Sequence, residues 1–134
     1  MVVRMMAFSH LCTPAHLTGA EKLLYFTLLE MKAQHECVLV VPNEGMLAQL
    51  ARASGIGVEV VGYEPVWSMY AAGAEFGLEL QQKLAAGKGA VLELLHRYCP
   101  DWVLVNTCVN AVPAGAAKTA GIPTVLFIHE VLSA

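Results

Sequence analysis

The sequence predicts a three-layer α/β domain, a parallel sheet with helices on both faces. Three observations lead there. Short apolar runs recur at residues 2–8, 37–41, 58–61, 102–105 and 124–128, rich in Val, Ile, Leu and aromatic residues and bounded by Gly, Pro, Asn or Asp. Helical periodicities lie between them, over 20–33, 45–53, 91–98 and 113–119. The run Thr124-Val125-Leu126-Phe127-Ile128 shows no period-2 alternation, as expected of a strand buried on both faces of a parallel sheet. Ligands of such sheets gather at the carboxyl ends of the strands, and His129-Glu130 sit at that end of the last one.

The elements follow in order. Residues 2–8 carry a single positive charge, Arg4, and their apolar run is cut short before His10, so they read as a first strand rather than a signal peptide. Thr18-Gly19-Ala20-Glu21 opens the first helix with a capping box, in which the Thr18 hydroxyl and the Glu21 carboxylate each accept from the other's backbone N–H. The helix then places Leu24, Leu28 and Met31 on one face. A second reading of the same turn is functional: Gly19 lets the backbone and helix dipole approach an anionic or oxygen-rich ligand. The two readings are compatible. No G-x-G-x-x-G follows the strand, which argues against a dinucleotide site.

Helix 45–53 buries Leu47, Leu50 and Ala51 and ends in Ser54-Gly55-Ile56, a device repeated at Ala120-Gly121-Ile122. Each glycine permits the left-handed turn that stops a helix, and each isoleucine packs back on the last turn before a strand begins. Residues 63–89, with Trp67, Tyr70 and Phe76 among several glycines, read as a mobile helical insertion broken near Gly87. Right-handed crossovers then predict the strand order 3-2-1-4-5. Its switch point would bring Gly19, Asn106 and His129 together.

Composition narrows the function. The chain of 134 residues forms one domain, 57% hydrophobic and only 14% charged, with a net charge of −3. Eight Lys and Arg make no basic stripe, so no nucleic-acid partner is expected. Charges interrupt every apolar stretch short of the roughly 20 residues that span a bilayer. Cys12, Cys37, Cys99 and Cys108 show no CxxC and read as reduced core thiols of a cytoplasmic protein. His10, Cys12 and His16 lack a fourth ligand nearby, so the histidines are expected to be solvated and no metal is expected. His35 and His96 are placed near helix ends, and Asp101 is assigned to structure, closing the helix before its strand. Asn106-Thr107 leaves the fourth strand as His129-Glu130 leaves the fifth, the arrangement of a binding crevice.

Together these pieces resemble the N-terminal domain of retaining glycosyltransferases of family 4, a Rossmann-like half of the GT-B fold. The resemblance runs through Leu17-Thr18-Gly19-Ala20-Glu21-Lys22, Val40-Val41-Pro42-Asn43-Glu44-Gly45 with Ser54-Gly55-Ile56, residues 99–107, and Ala120-Gly121-Ile122-Pro123 to His129-Glu130. It implies an acceptor-binding domain facing a C-terminal domain that binds a nucleotide-sugar. Gly19 would then line the cleft near the donor phosphates and His129 would contact the transferred sugar as the catalytic residue. Thr18, Asn106, Thr107 and Glu130 complete the expected substrate site, with no metal and no cofactor beyond the sugar donor. The acceptor would be a glycan or lipid-linked sugar, the location cytoplasmic, and peripheral contact with the inner face of the membrane stays open. The donor-binding half is absent from this sequence, so residues 1–134 are expected to be an incomplete domain, inactive alone. The alternative is a non-catalytic flavodoxin-like binding module, in keeping with the want of an obvious acid–base dyad.

Overall fold

A computed structural model of the chain describes residues 2–63, 78–107 and 110–128. Strand and helix alternate as β1 (Val3–Phe8), α1 (Gly19–Met31), β2 (His35–Val41), α2 (Met46–Ala53), β3 (Gly57–Val60), α3 (Leu78–Tyr98), β4 (Trp102–Asn106), α4 (Ala111–Thr119) and β5 (Thr124–Phe127). The described strands form one five-stranded sheet of order β3-β2-β1-β4-β5, parallel at every pairing. The expected order therefore holds, with the switch point between β1 and β4.

The pleat explains the three layers. Met5 and Ala7 of β1 face one side with Leu39, Val41 and Leu104, under Leu24 and Leu28 of α1 and Leu47, Ala48 and Ala51 of α2. Met6 and Phe8 face the other with Val38, Val40, Val103 and Val105, under Val91, Leu94 and Leu95 of α3 and Ala116 and Ala117 of α4. Both sides of the central strands are thus apolar, which is why their sequences do not alternate. Gly55 and Gly121 take φ of +80° and +71°, and the N–H groups of Ile56 and Ile122 return to the carbonyls of Ala51 and Ala117 at 2.9 and 3.0 Å. These are the expected glycine-closed helix ends.

Several expectations are corrected. Among the described residues the run 124–128 is not buried on both faces: β5 lies at the edge of the described sheet, and Val125, Leu126 and Ile128 are 46, 43 and 54% exposed. An apolar run alone does not distinguish a central strand from an edge whose apolar surface stays open. Helix α3 is continuous through Gly87, where a break was expected. A Cβ at Gly87 would lie 3.2 Å from Tyr63 Cβ and 3.4 Å from the Gly62 carbonyl, so this glycine allows close packing instead of a bend. Trp67, Tyr70 and Phe76 lie outside the described residues.

Among the cysteines, Cys12 and Cys37 are buried free thiols as expected, whereas Cys99 is exposed. Cys99 adopts φ +48° and its N–H returns to the Leu95 carbonyl at 2.8 Å, so Cys99 closes α3 and Asp101 does not. Asp101 instead joins β1 to the start of β4: its carboxylate accepts from the Arg4 N–H at 2.7 Å and its own N–H donates to the Arg4 carbonyl at 2.8 Å. His10 is buried, not solvated, because the chain after β1 folds back over the sheet; His16 is exposed. His35 opens β2 three residues after Lys32, the C-cap of α1, and meets Trp102 edge-on at 6.2 Å, while His96 lies in the last turn of α3 as expected.

Candidate functional site

The carboxyl ends of β1 and β4 lie side by side, and the turn into α1 rises beside them. Thr18 is the N-cap of α1, its hydroxyl accepting from the Glu21 N–H at 3.3 Å while the Glu21 carboxylate accepts from the Thr18 N–H at 3.2 Å. The capping box is therefore formed. Glu21 does more than cap, being fully buried and accepting also from the Thr13 N–H at 3.2 Å, the Thr13 hydroxyl at 2.8 Å and the Thr18 hydroxyl at 3.0 Å. A buried carboxylate is tolerated where donors surround it, and here those donors come from the middle and the last residue of the β1–α1 loop. The sequence marks Glu21 as a cap but carries no local sign of its bond to Thr13.

Gly19, the first residue of α1, is exposed, and a Cβ there would meet no protein atom within 4 Å. Among the described residues, the space in front of the first turn is open. Asn106 ends β4 fully buried and donates its side-chain amide to the Ala20 carbonyl at 3.2 Å. One hydrogen bond thus ties the end of β4 to the first turn of α1 and brings Thr18, Gly19 and Asn106 together.

Thr107 follows in the left-handed region at φ +69°, only 2% exposed, its hydroxyl without a hydrogen-bond partner among the described residues. For a β-branched residue that conformation is rare and costly. Its N–H donates to the Phe127 carbonyl at 2.8 Å, so β4 and β5 end level with each other. Asn110, which sequence reasoning missed, is 1% exposed and donates its amide to the Phe8 carbonyl at 3.0 Å, linking the start of α4 to the end of β1. His129 and Glu130 lie outside the described residues.

A second recess opens on the β2–β3 side of the same sheet end. It has a volume of about 550 Å³ and is lined by His10, Leu11, Asn43, Tyr63, Lys83 and Ala86, with Pro42, Gly62 and Gly87 completing the wall. Its floor is Tyr63, buried among the core residues, whose hydroxyl donates to the Ser9 carbonyl at 2.5 Å and the Val40 carbonyl at 3.1 Å. Burial pushes the Tyr63 phenol well above its ordinary value, so it stays a neutral donor. The loop after β2 is held against the loop after β1 by Asn43, whose amide donates to the Cys12 carbonyl at 2.6 Å, and by Gly45, where a Cβ would fall 2.7 Å from Cys12 Sγ. Burial also raises the Cys12 thiol, partly opposed by the backbone N–H groups of Ala48 and Leu47. Among the described residues no three metal-ligating side chains come together, and no helix is long and apolar enough to cross a membrane.

No protein-family model and no curated protein matches the sequence. Solved structures do match. MurG from Acinetobacter baumannii superposes with a TM-score of 0.72 at 15% identity, covering 98% of this chain and 36% of that one. HepE from Anabaena, solved in complex with UDP-glucose, gives 0.67 at 21% identity over 97% of this chain and 30% of that one. The C-terminal domain of a Pyrococcus furiosus hydrogenase gives 0.55 at 19% identity, over 93% of this chain and 91% of that domain. The chain thus has a Rossmann-like α/β fold of the kind that makes up GT-B glycosyltransferases, and it spans about a third of the length of the two transferase-type neighbours.

Proposed function

We propose that this chain is the acceptor-binding half of a retaining, family 4-type glycosyltransferase that takes its sugar from a nucleotide-sugar. The observation that carries the reading is the junction of β4 with α1: the Asn106 to Ala20 bond sets the open first turn at Gly19 beside the strained Thr107. A helix N-terminus with free space before it suits donor phosphates, and Asn106, Thr107, His129 and Glu130 leave the two adjacent strand ends where the sugar would lie. HepE, similar in fold, binds UDP-glucose. Transfer would rest on positioning and on neutralising the departing phosphate, with His129 against the reacting sugar. A donor-binding C-terminal domain would complete the cleft, and the half-exposed apolar β5 is a surface the rest of such a protein would cover. A cytoplasmic location, with the enzyme meeting a glycan or lipid-linked acceptor at the inner face of the membrane, fits this reading.

The test is donor consumption by the full-length protein encoded with this chain, with melting temperatures recorded alongside. His129→Ala is expected to lower turnover on the order of a hundredfold with little loss of stability, since such contacts act where charge develops. Gly19→Leu is expected to do similar damage by filling the space before α1. Residues 1–134 alone are expected to leave UDP-glucose intact. Turnover unchanged in His129→Ala removes His129 from the site. Robust transfer by 1–134 alone overturns the two-domain reading. A second reading is a non-catalytic, flavodoxin-like binding module, since a similar fold also occurs outside the glycosyltransferases, in the Pyrococcus furiosus hydrogenase domain. A full-length protein that binds partners but consumes no nucleotide-sugar would select it.

A further inference from the structure

We infer that the recess between the β1, β2 and β3 loops and α3 binds a phosphate group carried on an apolar tail, with Lys83 as the residue that selects the anion. The recess is distinct from the junction of α1 and β4: it opens beside β2 and β3, on the far side of β1 from β4 and β5. Its described lining holds one charged side chain, the ammonium of Lys83, and no carboxylate. The charge that does face Lys83 is Glu79, one helical turn earlier at 3.9 Å, with 86% of its side chain exposed. An exposed pair of that length is worth little, so the ammonium remains available to an incoming anion. His10 and Asn43 add polar atoms to the lining, the Asn43 amide itself being held by the Cys12 and Glu44 carbonyls, so the selection of an anion falls to Lys83.

The rest of the wall is apolar or backbone. Leu11, Pro42 and Ala86 line the recess, and the Tyr63–Gly87 contact closes its floor, so an entering ligand meets packed side chains. A cation at the mouth of an apolar-walled recess of about 550 Å³ matches an amphiphile with an anionic head. Recognition of the head is a matter of point charge, for which lysine serves without a forked geometry. The meaning of this site for catalysis, as the place where a phosphate-bearing acceptor docks, rests on the acceptor-side reading above. The binding itself does not.

The experiment uses the 134-residue chain and no sugar donor, so its failure leaves donor turnover untouched as a separate question. Amide resonances are followed while octyl phosphate, kept below its micelle concentration, octyl glucoside and inorganic phosphate are titrated in turn. Octyl phosphate is expected to shift Gly62, Gly87 and Asn43 and to bind more tightly than either of the others. Lys83→Gln is expected to weaken it about fivefold, the scale of one partly exposed ion pair, and added salt to weaken it further. Lys83→Arg is expected to restore binding, which a purely structural role for Lys83 would not predict. Ala86→Phe, at an exposed wall position, is expected to block binding with the melting temperature preserved. Inorganic phosphate binding as tightly as octyl phosphate would overturn the role of the apolar wall. Unchanged affinity in Lys83→Gln or Ala86→Phe, or shifts confined to the first turn of α1, would overturn the site.

Discussion

Two glycines two residues apart on α3, on different faces of the helix, allow the packing beneath the recess to be measured. At Gly89 a Cβ would meet nothing within 4 Å, so Gly89→Ala keeps only the gain in helix propensity, about 1 kcal/mol. At Gly87 the same Cβ would sit 3.2 Å from Tyr63 Cβ, 3.3 Å from its Cα and 3.4 Å from the Gly62 carbonyl. Those atoms are backbone or next to it, and Tyr63 cannot retreat, because its buried hydroxyl is bonded to the carbonyls of Ser9, just past β1, and of Val40 in β2. Crowding of that kind costs about 2 kcal/mol. Gly87→Ala should therefore come out about 1 kcal/mol less stable than wild type and about 2 kcal/mol less stable than Gly89→Ala. For a domain of this size the gap amounts to about 8 °C in Tm. Urea titration and thermal melts of the three proteins read it directly. Equal stabilisation by both substitutions would mean that α3 does not rest on Tyr63, and the floor of the recess would be lost with it.

Two further outcomes follow from buried polar groups. Tyr63 has its pKa raised well above the ordinary 10.0, so the stability it contributes is present below that pH and is lost as pH rises through the folded value. Tyr63→Phe is expected to cost about 1 kcal/mol at neutral pH and to flatten the alkaline decline in stability above about pH 10; an unchanged decline would assign it to other groups. Thr107→Gly is expected to raise stability by about 1 kcal/mol, by relieving the left-handed strain and removing a buried unbonded hydroxyl, and a lower melting temperature would refute that accounting.

Much of the framework is legible because it depends on neighbours in sequence. The Thr18–Glu21 box and the Gly55 and Gly121 helix ends are local hydrogen-bond problems with few solutions, and the structure adopts those solutions. The strand order follows once right-handed crossovers are assumed. What fails is information held by distant residues. Gly87 looks like a helix breaker until Tyr63 is seen against it, and His10 looks solvated until the loop after β1 folds over the sheet. The run 124–128 has the composition of a central strand, yet burial is set by what pairs beyond it, which composition does not encode. The candidate site is intermediate: Gly19 and Asn106 are visible as residues at strand ends, but the bond that joins them spans 86 positions.

Thr107 shows why that junction is the place to look for chemistry. The chain has two described non-glycine residues with positive φ, and they differ in kind. Cys99 is exposed and stops a helix, a common and inexpensive use of the left-handed region. Thr107 stops a strand, is β-branched, and buries a hydroxyl that finds no partner among the described residues. Each of its two costs is about 1–3 kcal/mol, a sizeable part of the 5–15 kcal/mol that holds a typical domain together. The bonds around it explain how the conformation is held: the Thr107 N–H is fixed to β5 at Phe127, Asn106 before it to α1, and Asn110 after it to β1. Three neighbouring elements thus over-determine one strained turn at the switch point. Under the acceptor-half reading proposed above, a hydroxyl held rigid next to Asn106, with no hydrogen-bond partner among the described residues, is pre-organised for a ligand oxygen.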